Sequence, residues 1–141
     1  MKVIKKFFEL LTLFTIGGTI YMGIELAYRG FTHWTMGLLG GLCFLIVGGL
    51  NEFYTWEMKF WKQCGIGALV ITVLEFVFGI ILNVWLKLNI WDYSHLPLNI
   101  CGQVCIWFTF AWFGLSAIAI VLDDWLRHWL FKEEKPRYKF K

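Results

Sequence analysis

Four long apolar stretches, separated by short polar segments, divide the chain. They cover residues 7–27, 34–50, 65–86 and 99–122. A helix that crosses the hydrocarbon core of a bilayer needs about 20 residues, with a range of about 17 to 25. The pattern therefore predicts an all-α membrane protein, a single transmembrane domain built as a four-helix bundle. Residues 123–141 follow the last stretch and are predicted to form a short basic tail that lies on anionic lipid headgroups.

Composition supports a membrane protein and charge predicts its orientation. Hydrophobic residues make up 59% of the chain and charged residues 16%, whereas soluble domains carry roughly 25% charge. With four spans, Arg29 and Lys87 fall on one side of the membrane. The other eleven of the thirteen Lys and Arg residues fall on the opposite side. Cytoplasmic loops carry the excess of Lys and Arg, so we expect both termini to be cytoplasmic, in a multi-pass protein of the bacterial cytoplasmic membrane.

Small residues predict close helix packing. Gly37 and Gly41 in the second stretch form a small-x-x-x-small pair, and the first stretch also carries small or weakly polar residues. Such residues let helix backbones approach one another in lipid. The contact they make lies either within one chain or between two chains. The expected partners are therefore the lipid bilayer and, where the contact lies between chains, a second copy of the chain or another membrane subunit.

Glu75 is the strongest single polar signal, because it lies at the middle of the third stretch. At 100° per residue it shares a helix face with other small or polar residues, which are Gly65, Ala68, Thr72, Gly79 and Asn83. A charged carboxylate at the bilayer centre costs about 2.5–3.5 kcal/mol on insertion scales, so this stripe is expected to face the bundle. Two interpretations stay open: a proton or cation relay, or a neutral glutamic acid that hydrogen-bonds another helix.

A second polar group is predicted at the outer face. Its members come from the end of span one, the end of span three, the second outer loop and the start of span four, and we take them together with Glu75 as candidate ligand-binding residues: Glu25, Arg29, His33, Asn83, Asp92, Tyr93, His95, Asn99 and Gln103. Two pairs have helical i,i+4 spacing, Glu25 with Arg29 and Asn99 with Gln103. The second pair is expected to project down one side of the fourth helix.

Two roles for this outer group remain open. In the first, its side chains meet in one ligand pocket above the Glu75 stripe, and Gly79 leaves room there for a water, a headgroup or a neighbouring backbone. In the second, they are structural, with an Arg29–Asp92 ion pair and caps from Ser94 and Asn99 that hold the loops together.

Enzyme and cofactor motifs are weak. The sequence has no G-x-x-x-x-G-K-[ST] motif, which excludes ATP hydrolysis by a P-loop. Its histidines stand apart at positions 33, 95 and 128, without the spacing of a metal site. We expect no cofactor, no resident metal and no nucleic-acid partner.

Two segments resemble the signatures of a known family. The run from Gly23 to Glu52 resembles the first signature of the CmpB family, small membrane proteins described as type IV ABC transporters, with vertebrate transmembrane relatives. The second signature resembles Glu75-Phe-Val-Phe-Gly79, Asn83 and the run from Trp91 to Cys105. The resemblance implies a membrane protein of transport and singles out Arg29, His33, Glu75, Asp92 and Asn99 as the positions to test first.

Three functional hypotheses follow. The first is a permease-like or transport-associated membrane protein. The second is a membrane-embedded enzyme or lipid-headgroup-binding protein that uses the outer pocket. The third is a structural or regulatory subunit. A continuous polar path from Glu75 to Asn51 and Glu52 would favour transport, and a closed outer pocket that opens sideways to lipid would favour the second hypothesis.

Overall fold

A computed structural model describes residues 2–50, 59–133, 135, 136 and 138. Within them the chain forms four α-helices, one short π-helix and one small hairpin. The helices are α1 (Lys2–Arg29), α2 (Trp34–Gly48), α3 (Phe60–Gly79), the π-helix that continues it (Ile80–Trp85) and α4 (Ile106–Phe131). The hairpin pairs β1 (Asn99–Ile100) with β2 (Val104–Cys105) in antiparallel register.

Three of the four described helices are long and apolar enough to cross a membrane. These are α1, α3 with its π-helical extension, and α4, whereas α2 is apolar but has 15 residues. At 1.5 Å per residue, the 28 residues of α1 extend about 42 Å and those of α2 about 22 Å. The predicted fold class, an all-α membrane protein with a four-helix bundle, is confirmed.

Glycines bring α1 and α2 into close contact within one chain. A methyl group added at Gly18 would lie 2.5 Å from the carbonyl oxygen of Gly37 on the other helix. One added at Gly41 would lie 2.8 Å from the carbonyl oxygen of Phe14. Since a backbone oxygen cannot move aside as a side chain can, these positions need glycine. The structure thus places the predicted glycine contact inside the chain.

Helices α3 and α4 form the second closely packed pair. The hydroxyl groups of Thr72 and Thr109 lie 2.9 Å apart across this contact, and α2 packs against both helices. The predicted polar stripe of α3 faces the bundle: Ala68, Glu75 and Asn83 are all buried. Helix α1 packs chiefly against α2, so the bundle consists of two helical hairpins that meet along α2.

The fourth helix begins later than predicted, at Ile106 instead of Asn99. The intervening residues form the β1–β2 hairpin, whose turn contains Cys101 and Gly102 with positive φ angles of 54° and 71°. A residue in the left-handed region cannot continue a right-handed helix. The Asn99 side chain also accepts a hydrogen bond from the Gly102 amide at 2.9 Å, a local bond that competes with helix formation.

The fourth helix continues beyond residue 122, where the fourth apolar stretch ends. Helix α4 continues to Phe131, and Lys132 ends it with a left-handed backbone. Asp123 and Arg127 lie one helical turn apart, are both buried, and form an ion pair of 2.8 Å. Because the two opposite charges are paired, both side chains can be buried where α4 packs in the bundle. The predicted inner residues Asn51 and Glu52 lie outside the described residues.

Candidate functional site

The carboxyl group of Glu75 is held inside the bundle by two donors from separate elements. The side chain is 3% exposed. The Tyr93 hydroxyl donates to Oε2 at 3.0 Å, and the Trp112 indole Nε1 donates to Oε1 at 3.3 Å. Tyr93 belongs to the outer loop and Trp112 to α4, so the carboxyl group joins three parts of the fold. A carboxylate has further acceptor capacity beyond two such bonds, which leaves it able to bind a proton or a small cation.

Tyr93 connects the outer loop to the buried carboxyl group. Its ring stacks on Phe108 of α4 with centroids 4.7 Å apart, and its backbone amide donates to the Gly102 carbonyl at 2.7 Å. Burial, followed by the nearby Glu75 charge, raises the pKa of the Tyr93 hydroxyl. The hydroxyl therefore stays protonated near neutral pH and acts as a donor to Glu75.

Asn83 and Gln103 form a buried polar pair that anchors the loop. Asn83 Nδ2 donates to Gln103 Oε1 at 2.8 Å, and Asn83 Oδ1 accepts from the Ile90 amide at 2.7 Å. Gln103 Nε2 donates to the Cys101 carbonyl at 3.0 Å. The Gln103 side chain also fills the space beside Gly79, where an added methyl group would lie 2.6 Å from Oε1. That space was expected to admit a water, a headgroup or a neighbouring backbone, and the side chain of Gln103 occupies it.

Glu25 and Arg29 form the predicted i,i+4 partner pair. Arg29 Nη2 lies 2.5 Å from Glu25 Oε2. The Nη1 atom of Arg29 donates to the Ile90 carbonyl at 2.7 Å, and the guanidinium group lies 4.5 Å from the Phe31 ring centroid. Arg29 therefore fastens the end of α1 to the outer loop. The Arg29–Asp92 ion pair considered in the structural alternative is not formed, because Arg29 points to Glu25 and Ile90.

The remaining predicted residues shape turns or lie at the surface. His33 caps α2, since its Nδ1 accepts from the Thr35 amide at 3.3 Å. Asp92 accepts from the Ser94 amide at 2.8 Å, and this bond lowers the pKa of the exposed carboxyl group. Asn99 donates to the Leu96 carbonyl at 2.7 Å, as expected of a residue that holds a loop together. His95 is exposed.

The predicted outer residues thus separate into distinct bonded groups instead of one pocket. Asn99 and Gln103 do not project down one side of α4, because they stand on and beside the β1–β2 hairpin. Of the outer group, Tyr93 alone reaches Glu75. Within the part of the chain that the structure describes, no three His, Cys, Asp or Glu side chains come together as a metal site.

A cavity of about 90 Å³ lies beside Glu75, between all four helices. Its walls are apolar apart from Glu75 and Tyr21, and Glu75 is the only one of the ten candidate residues that lines it. Phe44 from α2 and Trp112 from α4 both form part of the wall. The intramembrane carboxyl group is therefore next to an apolar space and not beneath an outer polar pocket.

Sequence reasoning missed Trp112 and a buried polar cluster at the opposite end of the bundle. No sequence pattern links Trp112 to its partner Glu75, because the two residues are 37 positions apart. The cluster comprises Asp123, Asp124 and Arg127. The Asp124 carboxyl group accepts a hydrogen bond from the Tyr138 hydroxyl at 3.0 Å. Burial, with the Asp124 charge next, raises the pKa of Tyr138. The i,i+4 spacing of Asp123 and Arg127 was the available signal. The bond from Tyr138 joins this residue of the tail to the last part of α4.

The family model described as "Putative ABC-transporter type IV" matches residues 12–135. This range contains α2, α3, α4 and most of α1, together with Glu75 and both of its donors. Comparison with curated proteins gave no match, and comparison with solved structures gave none either.

Proposed function

Because the chain belongs to the CmpB family of type IV ABC-transporter proteins, we propose that it is a permease-like or transport-associated membrane protein in which Glu75 is the working residue. In this proposal Glu75 exchanges a proton or a small cation, and the hydrogen bond from Tyr93 transmits that change to the outer loop. The family match and the apolar helices show that the chain is a membrane protein of a transporter family.

The observation that carries the proposal is the pair of hydrogen bonds to Glu75. Intramembrane carboxyl groups are rare and commonly serve ion or proton pathways. Here the two donors come from a loop and from another helix. A change of charge at the carboxyl group would weaken or strengthen both bonds, because hydrogen bonds to ionised groups are roughly twice as strong as neutral ones. Such a change would therefore act on the outer loop and on α4 together.

The family membership also supports proposals about setting and partners. We propose that both termini are cytoplasmic and that the chain is a multi-pass protein of the bacterial cytoplasmic membrane, from the distribution of its basic residues. These 141 residues contain no P-loop, so ATP-driven transport would require a partner ATPase subunit. A homo-oligomer is the other arrangement that would enlarge so small a permease.

The hypothesis of a lipid-headgroup site at the outer face has less support. Arg29, Asn83 and Gln103, which would have bound the headgroup, are engaged in bonds that fix the loop. The side chains that remain exposed there, Asp92 and His95, do not enclose a pocket with them. The same bonds favour a structural role for most of the outer group.

The test replaces Glu75 with Gln in a strain whose growth depends on this protein. It measures growth or uptake of that strain, together with thermal melting of the purified protein in detergent. Gln keeps the shape and a hydrogen-bonding end but cannot carry the charge. We expect the Glu75→Gln protein to insert and melt like the parent and to lose the activity. Tyr93→Phe and Trp112→Phe, which each remove one donor, should reduce it.

Two exposed residues provide matched controls. Tyr28→Phe and Trp107→Phe make the same chemical changes at positions that are 75% and 56% exposed, and they should leave activity unchanged. Full activity of the Glu75→Gln protein would show that the carboxyl group is structural, and the proposed function would then be rejected.

A further inference from the structure

The cavity beside Glu75 is enclosed less completely between α1 and α4 than between the other helices. Helices α1 and α2 pack closely together, as do α3 and α4, but α1 packs chiefly on α2 and makes little contact with α4. Ile20 and Ile24 of α1 and Ile118 of α4 all line the cavity, yet they are 42%, 44% and 63% exposed. The cavity therefore reaches the outside of the bundle between α1 and α4.

This opening faces hydrocarbon. Both α1 and α4 are long and apolar enough to cross a membrane, and the three exposed isoleucines lie well inside them. The medium next to the opening is then the acyl-chain region of the bilayer. The walls behind it, including Cys43, Val47 and Ile71, are apolar and almost fully buried.

Size and polarity limit what the cavity can hold. An apolar cavity does not retain water, and one of about 150 Å³ accepts benzene. A volume of about 90 Å³ is too small for a drug-sized ligand, which needs about 300–1,000 Å³. The same volume is too small for a helix of a second copy, whose diameter with side chains is about 10–12 Å. A single unbranched alkyl chain has the required width and apolar surface.

We infer that the cavity accepts the acyl chain of a membrane phospholipid, which enters sideways between α1 and α4 and ends beside Glu75. The inference extends the proposed function, because it gives the class of molecule that meets the working residue: an amphiphile taken from within the bilayer. Entry of the chain fills a void that would otherwise lack contact atoms on one side. The chain also excludes water from the Glu75 carboxyl group.

The experiment uses the full chain in vesicles of phosphatidylcholine and phosphatidylglycerol. A phosphatidylcholine with a photoactivatable diazirine at the middle of one acyl chain is included, and the labelled residues are located by mass spectrometry. We expect labels on Cys43 and Ile71, which are 9% and 8% exposed and are reached from the surrounding lipid through the opening between α1 and α4. The Ala119→Phe variant, which fills the cavity from α4, should lose those labels.

The matched control is Ala111→Phe, an exposed position on the same helix that does not line the cavity. It should keep the labels at Cys43 and Ile71. A diazirine placed beside the headgroup should not label them in the parent protein, a comparison that needs no variant to fold. Labels confined to exposed residues such as Leu69 would overturn the inference, as would equal labelling of Cys43 in the Ala119→Phe protein.

The labelling does not depend on transport, so the two proposals can fail separately. If the Glu75→Gln protein is fully active while Cys43 and Ile71 are labelled in the parent, the proposed function is rejected and the lipid site stands. If the Glu75→Gln protein is inactive and the buried residues are not labelled, the carboxyl group works without an acyl chain.

Discussion

Asn83 connects the end of the third helix to the outer loop, and its replacement should release that loop. The change considered is Asn83→Leu, which keeps the approximate size of the side chain and removes its hydrogen-bonding groups. In the parent protein Asn83 is 9% exposed. Its Oδ1 accepts from the Ile90 amide at 2.7 Å, and its Nδ2 donates to Gln103 Oε1 at 2.8 Å.

The expected loss of stability follows from the two partners that are left behind. The third contact, from the Trp91 amide at 3.4 Å, is too long to count fully. A buried donor or acceptor without a partner costs about 1–3 kcal/mol, so the two short bonds give about 2–6 kcal/mol. Because residues 86–89 next to them are exposed, water can reach the freed groups, and we expect about 2–3 kcal/mol.

The assay combines melting with hydrogen exchange in detergent. A loss of 2–3 kcal/mol corresponds to a fall in Tm on the order of 5–10 °C. At 1.36 kcal/mol per factor of ten, opening of the loop by 2 kcal/mol should accelerate exchange of the Ile90 amide by about 30-fold. The control is Val84→Leu, the next residue of the π-helix, which is 50% exposed and apolar.

The reasoning would be refuted by one particular result. If Asn83→Leu leaves both the Tm and the exchange of the Ile90 amide as in the parent, the polar pair does not hold the loop. Arg29 would then have to supply the anchor through the Ile90 carbonyl alone. A fall in Tm without faster exchange at Ile90 would instead locate the damage in the contact between Asn83 and Gln103.

Two further predictions concern packing and topology. Gly18→Val should lower stability by about 1–3 kcal/mol, the usual cost of overpacking, because its Cβ would meet the Gly37 oxygen at 2.5 Å. Gly23→Ala, with nothing within 4 Å, should melt like the parent. In a variant without native cysteines, Lys139→Cys should resist an impermeant thiol reagent added outside intact cells, and His95→Cys should react with it. The opposite pattern would contradict the proposed orientation.

The sequence was sufficient to predict the helices because an uncharged apolar segment in a bilayer must satisfy its backbone hydrogen bonds internally, and a helix does so. It was not sufficient to place the start of α4. Residues 99–105 carry no charge, like the first part of the helix that follows, and the positive φ angles of Cys101 and Gly102 interrupt the helical backbone there. Hydrophobicity does not report backbone conformation, so the hairpin could not be distinguished from a further helical turn.

The candidate site was predicted to a similar extent and for similar reasons. Periodicity along α3 was enough to direct Glu75 into the bundle, and i,i+4 spacing was enough to pair Glu25 with Arg29. The hydrogen-bond donors to Glu75 were harder to predict from the sequence, because Tyr93 and Trp112 lie 18 and 37 residues away from it. Tyr93 was included for its loop alone. Such contacts depend on how α3, the outer loop and α4 fold against one another, which no local pattern encodes.

The division of the bundle into two helical hairpins bears on how the chain assembles during synthesis. Each hairpin joins helices that are neighbours in sequence, and such local contacts form quickly. The first pair can therefore associate before the second has left the ribosome, since synthesis adds about 5–20 residues per second. The seam between the pairs, where α2 packs against α3 and α4, closes last. Because the cavity and the Glu75 carboxyl group lie at that seam, the final event of folding is also the one that completes the site.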